Sequence, residues 1–293
     1  MKYLVLFFLV ACTSKPPVYE KVVREYRPIS SEASFSKIEE PKVEEDISYT
    51  SPRVEVKQKI VFQELYDFAV MASIAEEQNP FIKSAYSGAI LRDLGQSRGK
   101  LFIVTDSYYK TQTIVIKCTG IISLLKDSSL YKRSGSELNA SFHQGLEDRA
   151  YEAHKIVVPL IRKGYKTYIV GHATGGGAAV ILMAYLKRDG FSIEKVVTFG
   201  QPRVTNRIGV DFYKDFPLVR VVLKSDVVPL LPLGSTYKHF GFEVFLDGDN
   251  YILLTGGSTQ LKDSCSLDQN PMFKYLTNLR NKKYAFPDTI ETK

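Results

Sequence analysis

The sequence predicts an α/β fold, a mostly parallel central sheet with helices on both faces, and three observations predict it. At 293 residues, with the hydrophobic and charged fractions of an ordinary globular protein, the chain is long enough for one large α/β domain or two small ones. Beyond residue 57, β-branched and aromatic runs alternate with stretches of helical periodicity, the pattern of a parallel sheet in a single domain. At Lys166-Thr167-Tyr168-Ile169-Val170 a β-rich run ends on Gly171. After a sharp turn, a glycine triplet (Gly175, Gly176, Gly177) opens an apolar segment over 178–186.

Taken in order, Met1-Lys2 and the apolar run 3–11 have the form of a secretory signal, too short to span a bilayer. Leu9-Val10-Ala11-Cys12 resembles the bacterial lipobox, in which the cysteine is acylated and becomes the new N-terminus. An ordinary signal with a chance cysteine is the alternative. The resemblance implies several acyl chains on Cys12, as stable anchoring requires, and hence a lipid-anchored protein of the bacterial cell envelope. Thr13, in place of the aspartate that retains such proteins at the inner membrane, points to the outer membrane. Residues 12–56 are rich in Pro, Ser, Glu and Lys and lack clustered apolar residues, so they are expected to form a disordered tether. The net charge of +7 is modest and spread out. Its densest cluster, Arg280, Lys282 and Lys283, reads as a solvated helix end without interleaved stacking aromatics, so nucleic acid is excluded as a partner.

The folded domain is expected over 57–293. Residues 57–78 carry Ile60, Val61, Leu65, Phe68, Ala69, Ala72 and Ile74 near helical spacing, and Asn79-Pro80 stops that helix. Residues 101–105 and 111–116 are strands joined by a polar turn, as a hairpin or as neighbours. Residues 145–162 read as a helix kinked at Pro159. Strands follow at 195–199, 218–223, 242–246 and 251–254, and a helix at 271–280 closes the domain.

The strand, turn and helix around Gly171 and Gly175 have the spacing of a nucleophile elbow, G-x-S-x-G, in which glycines let two backbones pass closely. The position of the nucleophile holds Ala173. Further motifs, in the same order, resemble the class 3 (fungal-type) lipases of the α/β-hydrolase fold. Ile114-Val115-Ile116-Lys117-Cys118-Thr119 is similar to their strand ending in R-G-T, with Lys117 and Cys118 departing from arginine and glycine. Phe142-His143-Gln144-Gly145 resembles V-H-x-G. Val197-Thr198-Phe199-Gly200-Gln201-Pro202-Arg203-Val204 follows T-F-G-x-P-R-V. Lys224-Ser225-Asp226-Val227-Val228-Pro229 resembles the acid loop, and the strand after it is matched by Tyr237-Lys238-His239-Phe240-Gly241-Phe242.

The resemblance implies that Asp226 is the triad acid and that Thr119 and the backbone N–H of Thr174 form the oxyanion hole. Residues 121–139 take the lid position, their apolar start covering either a lipid groove or core. The catalytic base should lie just before the final helix. There, Asp268-Gln269-Asn270-Pro271-Met272 resembles D-x-H-x-M with Asn270 in the histidine's place, and an amide is no general base. Of the four histidines, His172 lies in the elbow, His143 precedes a helix, and His154 is mid-helix and reads as structural or surface. His239 is the one rival base. Thr174 is one position off the apex and is no substitute nucleophile. Cys118 and Cys265 either pair as a disulfide or stay separate thiols.

Loss at both positions fits a natural pseudoenzyme better than a single inactivating substitution. The sequence thus predicts a lipid-anchored, lipase-like protein that binds a lipid or acyl-ester ligand, or a protein partner, without cofactor or metal. The alternatives are an active serine esterase, from a parent with serine in place of Ala173 or through His239, and an envelope scaffold.

Overall fold

The structure, a computed structural model, describes residues 57–95, 98–120, 130–131, 138–233, 235–255, 271–284 and 288–291. The chain divides into residues 1–54 and 55–293, and all described residues belong to the second unit. The expected signal, Cys12 and the tether lie outside them.

The first element is a strand, not a helix. Lys57–Ile60 (β1) pairs antiparallel with Asp288–Glu291 (β12), Lys57 opposite Glu291. The helix predicted from 57 therefore begins later, as Phe62–Glu76 (α1), burying Leu65, Phe68, Ala69, Ala72 and Ala75 at helical spacing. Asn79-Pro80 stops it and also starts a second helix, Asn79–Ala85 (α2). A proline in the first turn costs nothing, because its missing N–H would have no helical partner there.

Ile90–Leu94 (β2), Gly99–Asp106 (β3) and Thr111–Cys118 (β4) form an antiparallel meander, so the two predicted strands are a hairpin. Leu130–Tyr131 (β5) pairs with Phe142–His143 (β6). Gln144–Val157 (α3) buries Leu146, Ala150, Ala153 and Val157. Pro159 lies beyond its end, so the expected kink is a stop. Lys166–His172 (β7), Thr174–Arg188 (α4), Ile193–Phe199 (β8), Arg207–Tyr213 (α5) and Leu218–Leu223 (β9) follow, then the hairpin Phe242–Asp247 (β10) and Asn250–Thr255 (β11), and Pro271–Lys282 (α6). Lys282 corrects the expectation of a solvated helix end. It is 5% exposed and its ammonium donates to the Gly248 carbonyl at 2.5 Å.

Eight strands form one sheet in the order β11-β10-β9-β8-β7-β4-β3-β2. From β10 to β4 every pairing is parallel, and only the outer pairings are antiparallel. Successive strand residues face opposite ways. Ile114, Ile116, Ile169 and Val196 pack with α3 and α4 on one face. Val115, Val170, Val197 and Val219 pack with α1 and α6 on the other. Helix α4 is buried on every side from Thr174 to Leu186, as its uniformly apolar sequence requires. The described helices include none long and apolar enough to cross a membrane.

One ion pair lies wholly inside this framework. Arg220 of β9 stands opposite Glu243 of β10, both fully buried and 2.5 Å apart, and its Nε donates to the Phe240 carbonyl at 3.0 Å. Arg220→Met is expected to cost about 3–5 kcal/mol by urea denaturation, because it strands a buried carboxylate. Adding Glu243→Leu should recover most of that loss.

Candidate active site

The site is built where β7 hands over to α4. A Cβ on Gly171 would fall 2.4 Å from the Gly175 carbonyl oxygen, and one on Gly175 would fall 2.3 Å from the Ile116 carbonyl oxygen of β4. Both distances are far inside van der Waals contact, so only glycine fits. Between them Ala173 takes φ 49° and ψ −120°, a left-handed conformation that side chains rarely adopt. Its N–H donates to the Phe199 carbonyl at 2.8 Å, and its own carbonyl accepts from Gly177 at 3.1 Å, opening α4. This is the backbone of a nucleophile elbow with a methyl group at its apex.

Asp226 follows β9 and is buried. One carboxylate oxygen accepts from the Val228 N–H at 2.9 Å, the other from the Tyr275 hydroxyl at 2.7 Å. That hydroxyl also accepts from the Leu223 N–H at 3.2 Å, so it bridges α6 to β9. Gly200, at φ 59°, makes the approach feasible, since a Cβ there would lie 2.2 Å from the Asp226 oxygen. Burial pushes the Asp226 carboxyl above its ordinary value. The hydrogen bonds from Val228 and Tyr275 and the nearby His172 imidazole oppose the shift without cancelling it. Burial and the adjacent carboxylate drive the Tyr275 phenol well up, so it stays a proton donor.

His172 ends β7 beside this pair, edge-on to the Tyr275 ring at 6.2 Å. Its Nδ1 is 3.5 Å from a Glu76 oxygen, and Lys117 holds the other Glu76 oxygen at 2.6 Å. Burial alone would raise the Glu76 carboxyl, but its contacts with His172 and Lys117 together hold it below its ordinary value. The last turn of α1 is thereby tied to the elbow.

The other predicted residues are placed as follows. Thr174 is buried at the first position of α4, where helix N–H groups lack helical partners. Its hydroxyl donates to the Cys118 carbonyl at 3.1 Å. The Thr119 N–H donates to the Arg98 carbonyl at 2.9 Å, and the Thr119 carbonyl accepts from Arg149 at 3.1 Å. His239 is buried with Nε2 2.7 Å from the Pro229 carbonyl; desolvation and the Arg220 charge hold it well below its ordinary pKa, as a neutral ring. The described bonds of Asp226 go to Val228 and Tyr275, not to His239. His143 is buried under Tyr237, and His154 pairs with Asp189 at 2.5 Å. Cys118 is a free thiol pushed up to about 12 by burial. Asn270, Cys265 and most of the 121–139 segment lie outside the described residues.

Three contributors were missed from the sequence. Tyr275 lies in the final helix, where the sequence assigned no role, while Glu76 and the Lys117 contact to it come from segments far apart in the chain.

Residues 109–236 match the family described as lipase (class 3). Over that segment, less than half of the chain, the sequence is similar to the class 3 lipases. A secreted mono- and diacylglycerol lipase of Fusarium solani is 37% identical over 91 residues, 29% of this chain and 26% of that protein. A lipase of Caenorhabditis elegans is 30% identical over 147 residues, 45% of this chain and 40% of that protein. The chain thus spans only about a quarter to two fifths of these relatives' length. Among solved structures, lipase II of Rhizopus niveus superposes with a TM-score of 0.57 at 19% identity, over 68% of this chain and 88% of that one. Lip2 lipase of Yarrowia lipolytica superposes at 0.55 and 21% identity, over 70% and 88%. The α/β-hydrolase fold is shared with these class 3 lipases.

The raised Asp226 carboxyl sets a pH dependence. The folded chain holds this proton more tightly than the unfolded chain, so the carboxyl's contribution to stability is full below its ordinary value of 3.8. It is lost as pH rises through the folded value. The stability deficit of Asp226→Asn should therefore be largest near pH 4 and narrow towards pH 8. Urea titrations at both ends check it, and a deficit that widens would refute the assignment.

Proposed function

We propose that this class 3 lipase relative is a non-catalytic member of the family, held at the bacterial envelope by acyl chains on Cys12. In this reading it binds a lipid or acyl-ester ligand at the elbow. The observation that carries the reading is the Ala173 methyl at the apex of an otherwise complete elbow. Acyl transfer needs an oxygen or sulfur nucleophile there, and a methyl group supplies none. Two points support it: in the sequence, Asn270 falls where the resemblance to the class 3 lipases puts the base, and both Asp226 oxygens are engaged by Val228 and Tyr275. The name of the Fusarium solani relative, a mono- and diacylglycerol lipase, points to acylglycerols as the ligand class.

One observation favours the second reading, an active serine esterase whose parent has serine in place of Ala173. The apex keeps a left-handed backbone at a residue with a Cβ, a conformation costing on the order of 1–3 kcal/mol. Such strain is usual where a nucleophile must be presented.

Reversion separates the two. The purified chain should neither hydrolyse a short nitrophenyl ester nor react with a fluorophosphonate. Ala173→Ser with Asn270→His should gain labelling, while either change alone should stay about a thousandfold or more below the pair. Labelling by Ala173→Ser alone at the rate of the pair would show that a base survives, and the pseudoenzyme reading would fall.

A further inference from the structure

The end of the sheet remote from the elbow carries a feature that the site does not use. The β3–β4 hairpin turns there through Asp106, Ser107, Tyr108, Tyr109 and Lys110. Tyr108 is 86% and Tyr109 72% exposed, the two most exposed aromatic rings of that turn and its surroundings. A pair of tyrosines projecting so far into water gains nothing for the fold.

The turn that presents them is rigid. The Tyr108 and Tyr109 N–H groups both donate to one Asp106 carboxylate oxygen at 2.9 Å. The rings meet edge to face at 4.8 Å. The Lys110 carbonyl accepts from the Lys166 N–H at 2.9 Å, which ties the turn to the start of β7. Ordering the two rings therefore costs little at the moment of contact.

Cations surround them. Lys110, Arg162, Lys163 and Lys166 are all exposed at this end. Arg162 stacks on the Tyr165 ring at 5.4 Å and donates to its hydroxyl at 3.0 Å. The neighbouring carboxylates are Asp106, bonded to the turn amides, and Glu194, paired with Lys166 at 3.3 Å. Tyrosine combines an apolar ring with a hydroxyl suited to the water–lipid boundary, and lysines beside it favour anionic headgroups. Helix α1 also starts away from the elbow and ends beside it. Glu64, in the first turn of α1, is held by Lys195 near the start of β8 at 2.5 Å, while Glu76 in the last turn reaches His172 beside the elbow.

We infer that Tyr108 and Tyr109, with Lys110, Arg162, Lys163 and Lys166, form a face that seats on an anionic lipid bilayer and turns the elbow away from it. Charge complementarity and the rigid aromatic pair select this occupant. The contact does not depend on acylation of Cys12, and the experiment removes that acylation.

The full chain carrying Cys12→Ser is sedimented with vesicles of phosphatidylcholine alone or with about one third phosphatidylglycerol. The parent should bind the anionic vesicles at least about tenfold better than the neutral ones, and lose the difference in high salt. Tyr108→Ser with Tyr109→Ser should weaken anionic binding about tenfold. Lys110→Glu and Lys163→Glu should each weaken it about fivefold, the equivalent of about 1 kcal/mol per cation. All four side chains are exposed, so an unchanged Tm is expected. Equal binding to both vesicles, or variants that bind like the parent, would overturn the inference. It would leave the reading of the elbow untouched, since that reading is tested by labelling.

Discussion

Three backbones crossing within contact distance of one another govern this domain. The end of β4, the end of β7 and the start of α4 meet at Ile116, Gly171 and Gly175, with no room for a Cβ on either glycine. The crossing seats α4 against the middle of the sheet and buries it on all sides, and it forces Ala173 into a left-handed backbone. The elbow is therefore first a packing solution. Whether a nucleophile sits on it is a separate matter, settled by one side chain. Glycines at this spacing are required for steric reasons, whatever residue stands at the apex.

The polar groups around the elbow follow the same logic. A buried carboxylate such as Asp226 needs donors, and a lost donor leaves a desolvation penalty of about 1–3 kcal/mol. Tyr275 and Val228 supply them, and the same phenol satisfies the Leu223 amide. Asp226 thus holds the loop after β9 to α6, a structural duty that does not require catalysis. Glu76, Lys117 and His172 do the equivalent on the α1 side. These contacts serve the packing of the domain whatever residue stands at position 173.

The sheet, its parallel core, the β3–β4 hairpin and the elbow were legible in the sequence, because glycine spacing and β-branched runs act locally. What escaped was set at long range. Lys57–Ile60 is too short to read as a strand, and its partner lies at the other end of the domain. Asn79-Pro80 reads as a stop, but the same proline suits the first turn of a new helix. The positions of Ala173 and Asp226 followed from motif order. The roles of Tyr275 and Glu76 depended on which side chains the fold brings together, and no local pattern announces that. His239 looked available in sequence, being close to Asp226, yet its ring is buried against the Pro229 carbonyl.

The pairing of Lys57–Ile60 with Asp288–Glu291 bears on when the domain can be finished. On a ribosome the first strand is made early, and its partner among the last. The hairpins and the β7–α4 unit depend on near neighbours and can form as they emerge. The strand ladder between the two ends must wait for nearly the whole domain to be synthesised, and it closes the largest loop in the fold. Until then β1 presents an unpaired edge, and its short length and two lysines limit what else can pair with it.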